Sequence, residues 1–354
     1  MTHASRARPG GEPIDAAVVG ATGIVGQRLV RLLEAHPAFR LSEVVGSERS
    51  AGRRYGDAVE WVTGGSPPEE AAHLEILGPG AALRSPLVLS ALPSPAAREA
   101  EPFLARRGHV VCTNASAHRL DKSVPLVVPE VNPQAAAAAR AQPWAGSRGA
   151  LIANPNCVVA GLALALAPLQ RAFGIEAATV VTLQAVSGAG LAGVASVEIL
   201  GNVVPWVRGE EEKIAPELNK ILETDFAVAV GVNRVPVLDG HTAHVFCTLR
   251  RPASAHDAAE VLRDFRPPAA AARLPSTPAR PLVVRDEPDR PQPRLDAEAA
   301  GGMAVSVGRI RPAPAPHDIA LVVVAHNGAR GAAGACLANA ELWMGVHVNR
   351  GSPT

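Results

Sequence analysis

Cys157 opens the apolar run Cys157-Val-Val-Ala-Gly-Leu-Ala-Leu-Ala-Leu-Ala-Pro-Leu169, directly after Asn154-Pro155-Asn156. The run is rich in Ala and Leu and lacks strand-type alternation, so it predicts a buried helix with the Asn-Pro-Asn triplet as its turn and cap. A thiol in the first turn of such a helix faces unpaired backbone N–H groups and the positive end of the helix dipole, both of which favour thiolate. A lowered pKa and a nucleophilic sulfur at neutral pH are expected. The plainer alternative is a small buried hydrophobe, and the decision rests on the residues that accompany the sulfur.

Those residues are spread along the chain. Gln184 ends a strand-like stretch from Ala177 and is placed to hydrogen-bond an acyl oxygen, while the turn Ser187-Gly188-Ala-Gly190 lets backbone approach a ligand. Glu210 and Lys213 share a face of a predicted helix, for which a surface ion pair is the default explanation. Arg234 and His241 belong to Asn233-Arg-Val-Pro-Val-Leu-Asp-Gly-His241. Fully extended, that step spans about 23 Å and puts the two side chains on opposite faces. Both reach one small substrate only if the chain bends at Pro236 or Asp239-Gly240, which are suitable turn residues. His241 is then a candidate acid/base, and His244, inside a predicted strand, a structural histidine. A nucleophilic thiol with a candidate acid/base suits covalent catalysis, in which one difficult step is divided into two accessible ones.

The elements that must position these groups begin with Ala16-Ala-Val-Val-Gly20-Ala-Thr22-Gly23-Ile24-Val25-Gly26, a strand, a glycine turn and the start of an amphipathic helix. In this frame the glycines let backbone N–H groups approach a pyrophosphate. The end of the next strand, Arg40 to Gly46, runs into Ser47-Glu48-Arg49-Ser50, where a hydroxyl and an arginine favour a 2′-phosphate and hence NADP. Glu48 is the dissenting acid, pointing away if the chain is extended there; Arg53 and Arg54 are either a solvated pair or binding residues. Pro86 to Ser94 and His109 to Ser116 are further strands, and their alternation with helices implies a Rossmann-type α/β fold with a doubly wound parallel sheet. Cys112 sits inside one of them as core. Arg119 lies just beyond a strand's carboxyl end and by itself reads as a solvated cation.

The rest of the chain sets the frame. Its 34 Lys and Arg balance 33 Asp and Glu, so neither nucleic acid nor a membrane surface is implied as partner. The four cysteines lie far apart, without metal-ligand spacing or a disulfide pattern, and no run is long enough to span a bilayer, which together indicate a cytoplasmic protein without a metal. Residues 1–13 read as a disordered tail. A dinucleotide domain is expected over 14–155, completed by a C-terminal helix within 328–354, and an α+β catalytic and dimerisation domain over 156–327. Pro133 to Arg140 is a predicted helix, and Pro275 to Leu295 an irregular passage wrapping a surface or a subunit contact.

Taken together, GATGIVG, NPNC157, QAVSGAG, GEEEK, NRVPVLDGH and HNGARGAAG make the chain resemble aspartate-semialdehyde dehydrogenases along nearly its whole length. Asp286 to Asp296 is similar to the archaeal and fungal branch. The resemblance implies NADPH-dependent reduction of L-4-aspartyl phosphate to L-aspartate 4-semialdehyde through a cysteine thioester, in a homodimer or homotetramer. It makes Cys157 the nucleophile, His241 the acid/base and Gln184 the acyl-orienting group. Arg234 would hold the substrate carboxylate, Lys213 and Arg119 the phosphate, with Asn156 nearby and Glu210 steadying them. Cofactor contacts would come from Gly20, Thr22, Gly23, Ile24, Val25, Gly26, Ser47, Arg49, Ser50, Ser187, Gly188 and Asn327. Val158, Leu191 and Gly201 depart from residues frequent in the family. Reduction of another acyl phosphate or of an acyl-CoA, as in malonyl-CoA reductases, is the alternative; a non-catalytic NADP-binding regulator is the remote one.

Overall fold

The computed structural model describes residues 12–144 and 148–348, so the expected tail over 1–13 lies outside the described residues except for Glu12 and Pro13. Six strands, β1 (Ile14–Val19), β2 (Phe39–Val45), β3 (Ile76–Leu77), β4 (Leu87–Ser90), β5 (Val110–Thr113) and β6 (Ala150–Ala153), form a sheet in the order β3-β2-β1-β4-β5-β6. Every pairing in it is parallel. The crossovers α1 (Ile24–Leu33) and α2 (Ser94–Arg106) follow β1 and β4, the two strands between which the order reverses. Their carboxyl ends diverge there into a crevice, the usual ligand site of such sheets. Ala16 and Val18 pack into one core cluster and Ala17 and Val19 into another, so both faces of β1 are buried and its sequence is apolar without alternation. The same property hid β6, whose four apolar residues become recognisable as a strand only through pairing with β5.

Directly after β6, α3 (Cys157–Phe173) runs through the core with nearly every side chain from Val158 to Leu169 buried. Beyond it lies a mixed sheet of β7 (Ile175–Gln184), β8 (Ala227–Arg234), β9 (His241–Leu249), β10 (Leu282–Arg285), β11 (Val305–Pro312) and β12 (Ile319–Ala325), in the order β10-β11-β12-β9-β7-β8. Helices α4 (Glu211–Leu222) and α5 (Ala255–Arg263) pack beside α3. The passage expected to be irregular supplies β10, which pairs in parallel with β11 at the sheet edge, and a short turn of helix at Pro293–Asp296. Pro133–Ala141, expected as a helix, is a 3-10 helix.

Register brings the chemistry to one end of this second sheet. Gln184 pairs with Arg234, Leu183 with Thr242, and His241 with Ala325. From β12 the chain passes through a π-helical turn, Ala329–Ala333, into α6 (Gly334–Met344), which packs back onto β4 and β5. Among the described residues no helix is long and apolar enough to cross a membrane, and no three His, Cys, Asp or Glu side chains group as metal ligands.

Candidate active site

Asn156 caps α3 by accepting the Val158 N–H at 2.9 Å, which leaves Cys157 in the first turn with its sulfur 3.2 Å from His241 Nε2. The other ring nitrogen, Nδ1, accepts the Ala185 N–H at 3.0 Å. Arg234 and His241 converge because the chain bends at Gly240, whose φ of +96° only glycine adopts readily. Both meet Gly188, where a Cβ would fall 2.9 Å from Arg234 Nη1 and 3.2 Å from His241 Cε1. Arg234 donates from Nη1 to Ala185 O at 2.7 Å. Gln184 is buried beside them with a side-chain N–H group that has no protein partner, a donor left for a ligand oxygen. Gly331, from the π-helical turn, lies against the nucleophile so closely that a Cβ there would sit 2.7 Å from that of Cys157. Single π turns of this kind recur beside functional sites.

The cations gather on the other side of the sulfur. Glu210 accepts from Lys213 Nζ at 2.8 Å and from Asn156 Nδ2 at 2.7 Å, so the expected surface ion pair is turned into a cleft and tied to the helix cap. Arg119 is buried: it donates to Glu217 at 3.1 Å and to Asn114 O at 2.7 Å. Its Nε has no protein partner. Glu217 uses its second oxygen to accept the backbone N–H of Asn156 at 2.5 Å. The cleft these groups line holds about 310 Å³ and includes Cys157, Ser187, Gly188 and Asn327.

A larger groove of about 1080 Å³ runs along the first sheet past Gly20, Thr22, Gly23, Ser47 and Arg49. Leu92 and Pro93 line both spaces, so cleft and groove are continuous. Gly20 has φ +74° and a Cβ there would fall 2.6 Å from Ala91 O, while Gly26 packs its Cα side against Gly20 O. Gly20 and Gly26 thus let the turn pack closely on the neighbouring backbone, and Gly20 and Gly23 line the groove. Ile24 and Val25 line the cleft end; Gly26 lies beneath the turn. Ser50 is buried and donates to Ser47 O at 3.0 Å, shaping the turn from outside the groove lining. That turn also removes the extended backbone on which Glu48 was expected to point away: Ser50 and Ala51 both donate to Ser47 O, and Glu48 lies on the turn near Gly78.

Burial pushes the Cys157 thiol up to about 12; Glu210 adds to this, and Arg119, Arg234 and the Val158 N–H oppose it. The fall expected from the helix terminus is therefore corrected, because loss of solvent around the sulfur outweighs the first-turn N–H groups. Burial likewise pushes His241 down to about 3, with Arg234 and His326 acting in the same direction and Asp239 against.

Some cleft-shaping residues gave no sequence signal of function. Glu217 reads as one of several acids on an amphipathic helix. Arg28 lines the cleft and donates to Asp239 at 2.9 Å, yet in the sequence it is an ordinary arginine on the exposed side of α1. Asn114 follows β5 and holds both Arg119 and Asn154.

Residues 15–139 match the family model described as semialdehyde dehydrogenase, NAD binding domain, and residues 166–329 the one described as semialdehyde dehydrogenase, dimerisation domain. The chain is 41% identical to the aspartate-semialdehyde dehydrogenase of Archaeoglobus fulgidus over 92% of its own length and 97% of that protein. The chain belongs to the aspartate-semialdehyde dehydrogenase family. The Methanothermobacter thermautotrophicus aspartate-semialdehyde dehydrogenase is 43% identical over 93% of this chain and 98% of its own. The crystal structure of aspartate-semialdehyde dehydrogenase with NADP from Candida albicans aligns with TM-score 0.84 at 38% identity, covering 94% of this chain and 98% of that one. In this aspartate-semialdehyde dehydrogenase family member the three sequence departures, Val158, Leu191 and Gly201, all lie off the cleft lining.

Proposed function

We propose that the chain catalyses the NADPH-dependent reductive dephosphorylation of L-4-aspartyl phosphate to L-aspartate 4-semialdehyde, reversibly and with phosphate as co-product. The observation that carries this reading is the 3.2 Å approach of Cys157 Sγ to His241 Nε2 in a cleft flanked by Arg119 and Lys213 and continuous with the dinucleotide groove. Cys157 is the nucleophile, His241 its acid/base partner, and Gln184 orients the acyl oxygen. Arg234 takes the substrate carboxylate with a planar fork. Arg119 and Lys213 take the phosphate, Asn156 and Glu210 setting their positions. Holding carboxylate and phosphate at once fixes the carbonyl before the sulfur, the kind of orientation that contributes several kcal/mol. NADPH when bound supplies the hydride; Gly20, Thr22, Gly23, Ile24, Val25, Ser47, Arg49, Ser187, Gly188 and Asn327 would hold it, with Gly26 and Ser50 shaping the turns beneath.

Residues 14–155 with the C-terminal stretch 328–354 are proposed as the dinucleotide domain and 156–327 as the catalytic and dimerisation domain of a cytoplasmic homodimer or homotetramer. The exposed apolar side chains Val197, Leu200, Val203 and Trp206, all in the second part, support self-association through that part.

The deciding assay is oxidation of aspartate 4-semialdehyde with and without phosphate, using NADP and NAD in parallel. Phosphate-dependent NADP reduction is the expected result. The same rates measured against N-acetylglutamyl phosphate and acyl-CoA esters should be lower, and a higher rate with either would reassign the substrate.

A further inference from the structure

On α4, Lys213, Glu217 and Lys220 stand at i, i+4 and i+7 and so share a face of the helix. Lys213 lines the cleft, and Glu217 holds the guanidinium of Arg119 at 3.1 Å. Lys220 reaches the same loop through its main chain: Nζ donates to Arg119 O at 2.7 Å, to Asp121 O at 2.8 Å and to Val124 O at 2.9 Å. An ammonium carries three N–H groups and no acceptor, so all three are spent on carbonyls. Carbonyls of residues 119 to 124 converge on one point only while the loop stays curled. The Asp121 carboxylate is engaged by His118 Nδ1 at 2.8 Å, so the ammonium fixes backbone and not a side chain.

Arg119 follows β5 and Lys213 belongs to α4, in different parts of the chain, yet both line the one cleft. Their spacing depends on what joins the loop to the helix. Glu217 and Asn114 O hold the guanidinium, which fixes the tip of a long side chain and not its root. Lys220 fixes the root. With Glu217 and Lys220 three residues apart on one helix, both ends of Arg119 are referred to the element that carries Lys213. Lys220 itself lies off the cleft lining and acts through Arg119.

We propose that Lys220 is a positioning residue for phosphate: its ammonium, capping three carbonyls of the 119–124 loop, sets the spacing of Arg119 and Lys213 across the cleft. The inference rests on the phosphate role given to those two cations and adds the group that holds them in register.

The test compares wild type, Lys220→Met and Lys220→Arg as full-length enzymes. Met keeps most of the stem and loses the donors. Arg keeps the charge, but its donors fan out in one plane and do not converge on three carbonyls around a point. In aspartate 4-semialdehyde oxidation, KM for phosphate should rise about tenfold in Met and at least about threefold in Arg, while kcat at saturating phosphate and KM for NADP move by less than about twofold. A wild-type KM for phosphate in either folded variant overturns the proposal. An equal rise in both KM values also overturns it, since a generally loosened fold does not single out phosphate. Hydrogen exchange read by mass spectrometry follows the joint without turnover: amides of residues 116–124 should exchange at least about tenfold faster in the variants, with those of β1 and α1 unchanged. The Arg variant keeps both measurements decisive where Met does not fold. Unchanged exchange over 116–124 overturns the proposal whatever the substrate proves to be, so its failure is distinct from a failure to reduce NADP with the semialdehyde.

Discussion

Arg28 on α1 and Asp239 on the turn before His241 are 211 residues apart and meet at 2.9 Å. The contact ties the helix that follows the glycine turn to the loop that carries the catalytic imidazole. Ser187 donates to the same Asp239 oxygen at 2.7 Å, and Asn327 links Ser187 Oγ at 2.7 Å to the Gly240 N–H at 2.9 Å. Three segments that line the cleft, at Arg28, Ser187 and Asn327, are thus held with the loop before His241 by one hydrogen-bonded chain. Arg28→Ala and Asp239→Ala should each raise KM for NADP and lower kcat by roughly fivefold, the scale of a partly exposed ion pair of about 1 kcal/mol. A double-mutant cycle checks this: coupling near zero would reduce the contact to an incidental one. Burial raises the Asp239 carboxyl, but the Ser187 hydrogen bond with Arg28 and His326 more than offsets it, so its pKa lies below the ordinary value. The stability it contributes is therefore complete above the ordinary aspartate range and is lost only as pH falls through the depressed value. Kinetics above about pH 5 should show no limb from this residue.

The raised Cys157 thiol makes a second prediction. With a pKa pushed up to about 12, the free enzyme at pH 7 carries far less thiolate than an ordinary cysteine. Iodoacetamide alkylation of Cys157 should be slower than that of a free thiol at neutral pH and should still be rising at about pH 9 to 10. A plateau below pH 7 would show instead that the helix terminus dominates. Cys157→Ala should abolish phosphate-dependent NADP reduction.

Glu217 is predicted to matter although it touches no reacting atom. It holds Arg119 at 3.1 Å and the Asn156 N–H at 2.5 Å, fixing a phosphate-binding cation and the nucleophile's cap with one carboxylate. Burial raises its pKa and Arg119 opposes that rise. Glu217→Gln should raise KM for phosphate in the oxidative direction about tenfold or more and cost about 3 kcal/mol of stability, as expected when one partner of a buried pair is removed. KM measured against phosphate, beside thermal unfolding, separates the two effects. An unchanged KM in a destabilised protein would leave Glu217 a purely structural residue.

The parts of this site that could be read in the sequence are those whose chemistry depends on neighbours in the chain. Cys157 declares itself because a helix start is local, and Gly20, Gly23 and Gly26 because a tight βα turn is local. Arg234 and His241 were a conditional pair, and the bend at Gly240 is what satisfies the condition. The missing parts depend on distance. Arg28 and Asp239, or Arg119 and Glu217, are 211 and 98 residues apart and become partners only when the chain folds back on itself. The thiol pKa failed for the same reason: the first-turn N–H groups are a local property, whereas the desolvation that outweighs them comes from the whole fold. Glu48 shows a smaller version: its direction was conditional on an extended chain after Gly46, and the chain instead turns over the buried Ser50.

Gly331 offers the sharpest steric test. It carries no functional group and lies in the π-helical turn, yet a Cβ there would meet Cys157 Cβ at 2.7 Å and Cys157 O at 2.8 Å. Backbone and Cβ atoms cannot swing aside as a flexible side-chain tip does, so Gly331→Ala must move α3 or the turn. Overpacking of that kind costs about 1–3 kcal/mol. A displacement of the sulfur near 1 Å would lower kcat by about 10²-fold while leaving KM for NADP, set along the groove, little changed. Gly231→Ala is the control, since a Cβ there meets nothing within 4 Å and its φ is ordinary. If both variants keep wild-type kcat, the close approach of Gly331 has no part in placing the nucleophile.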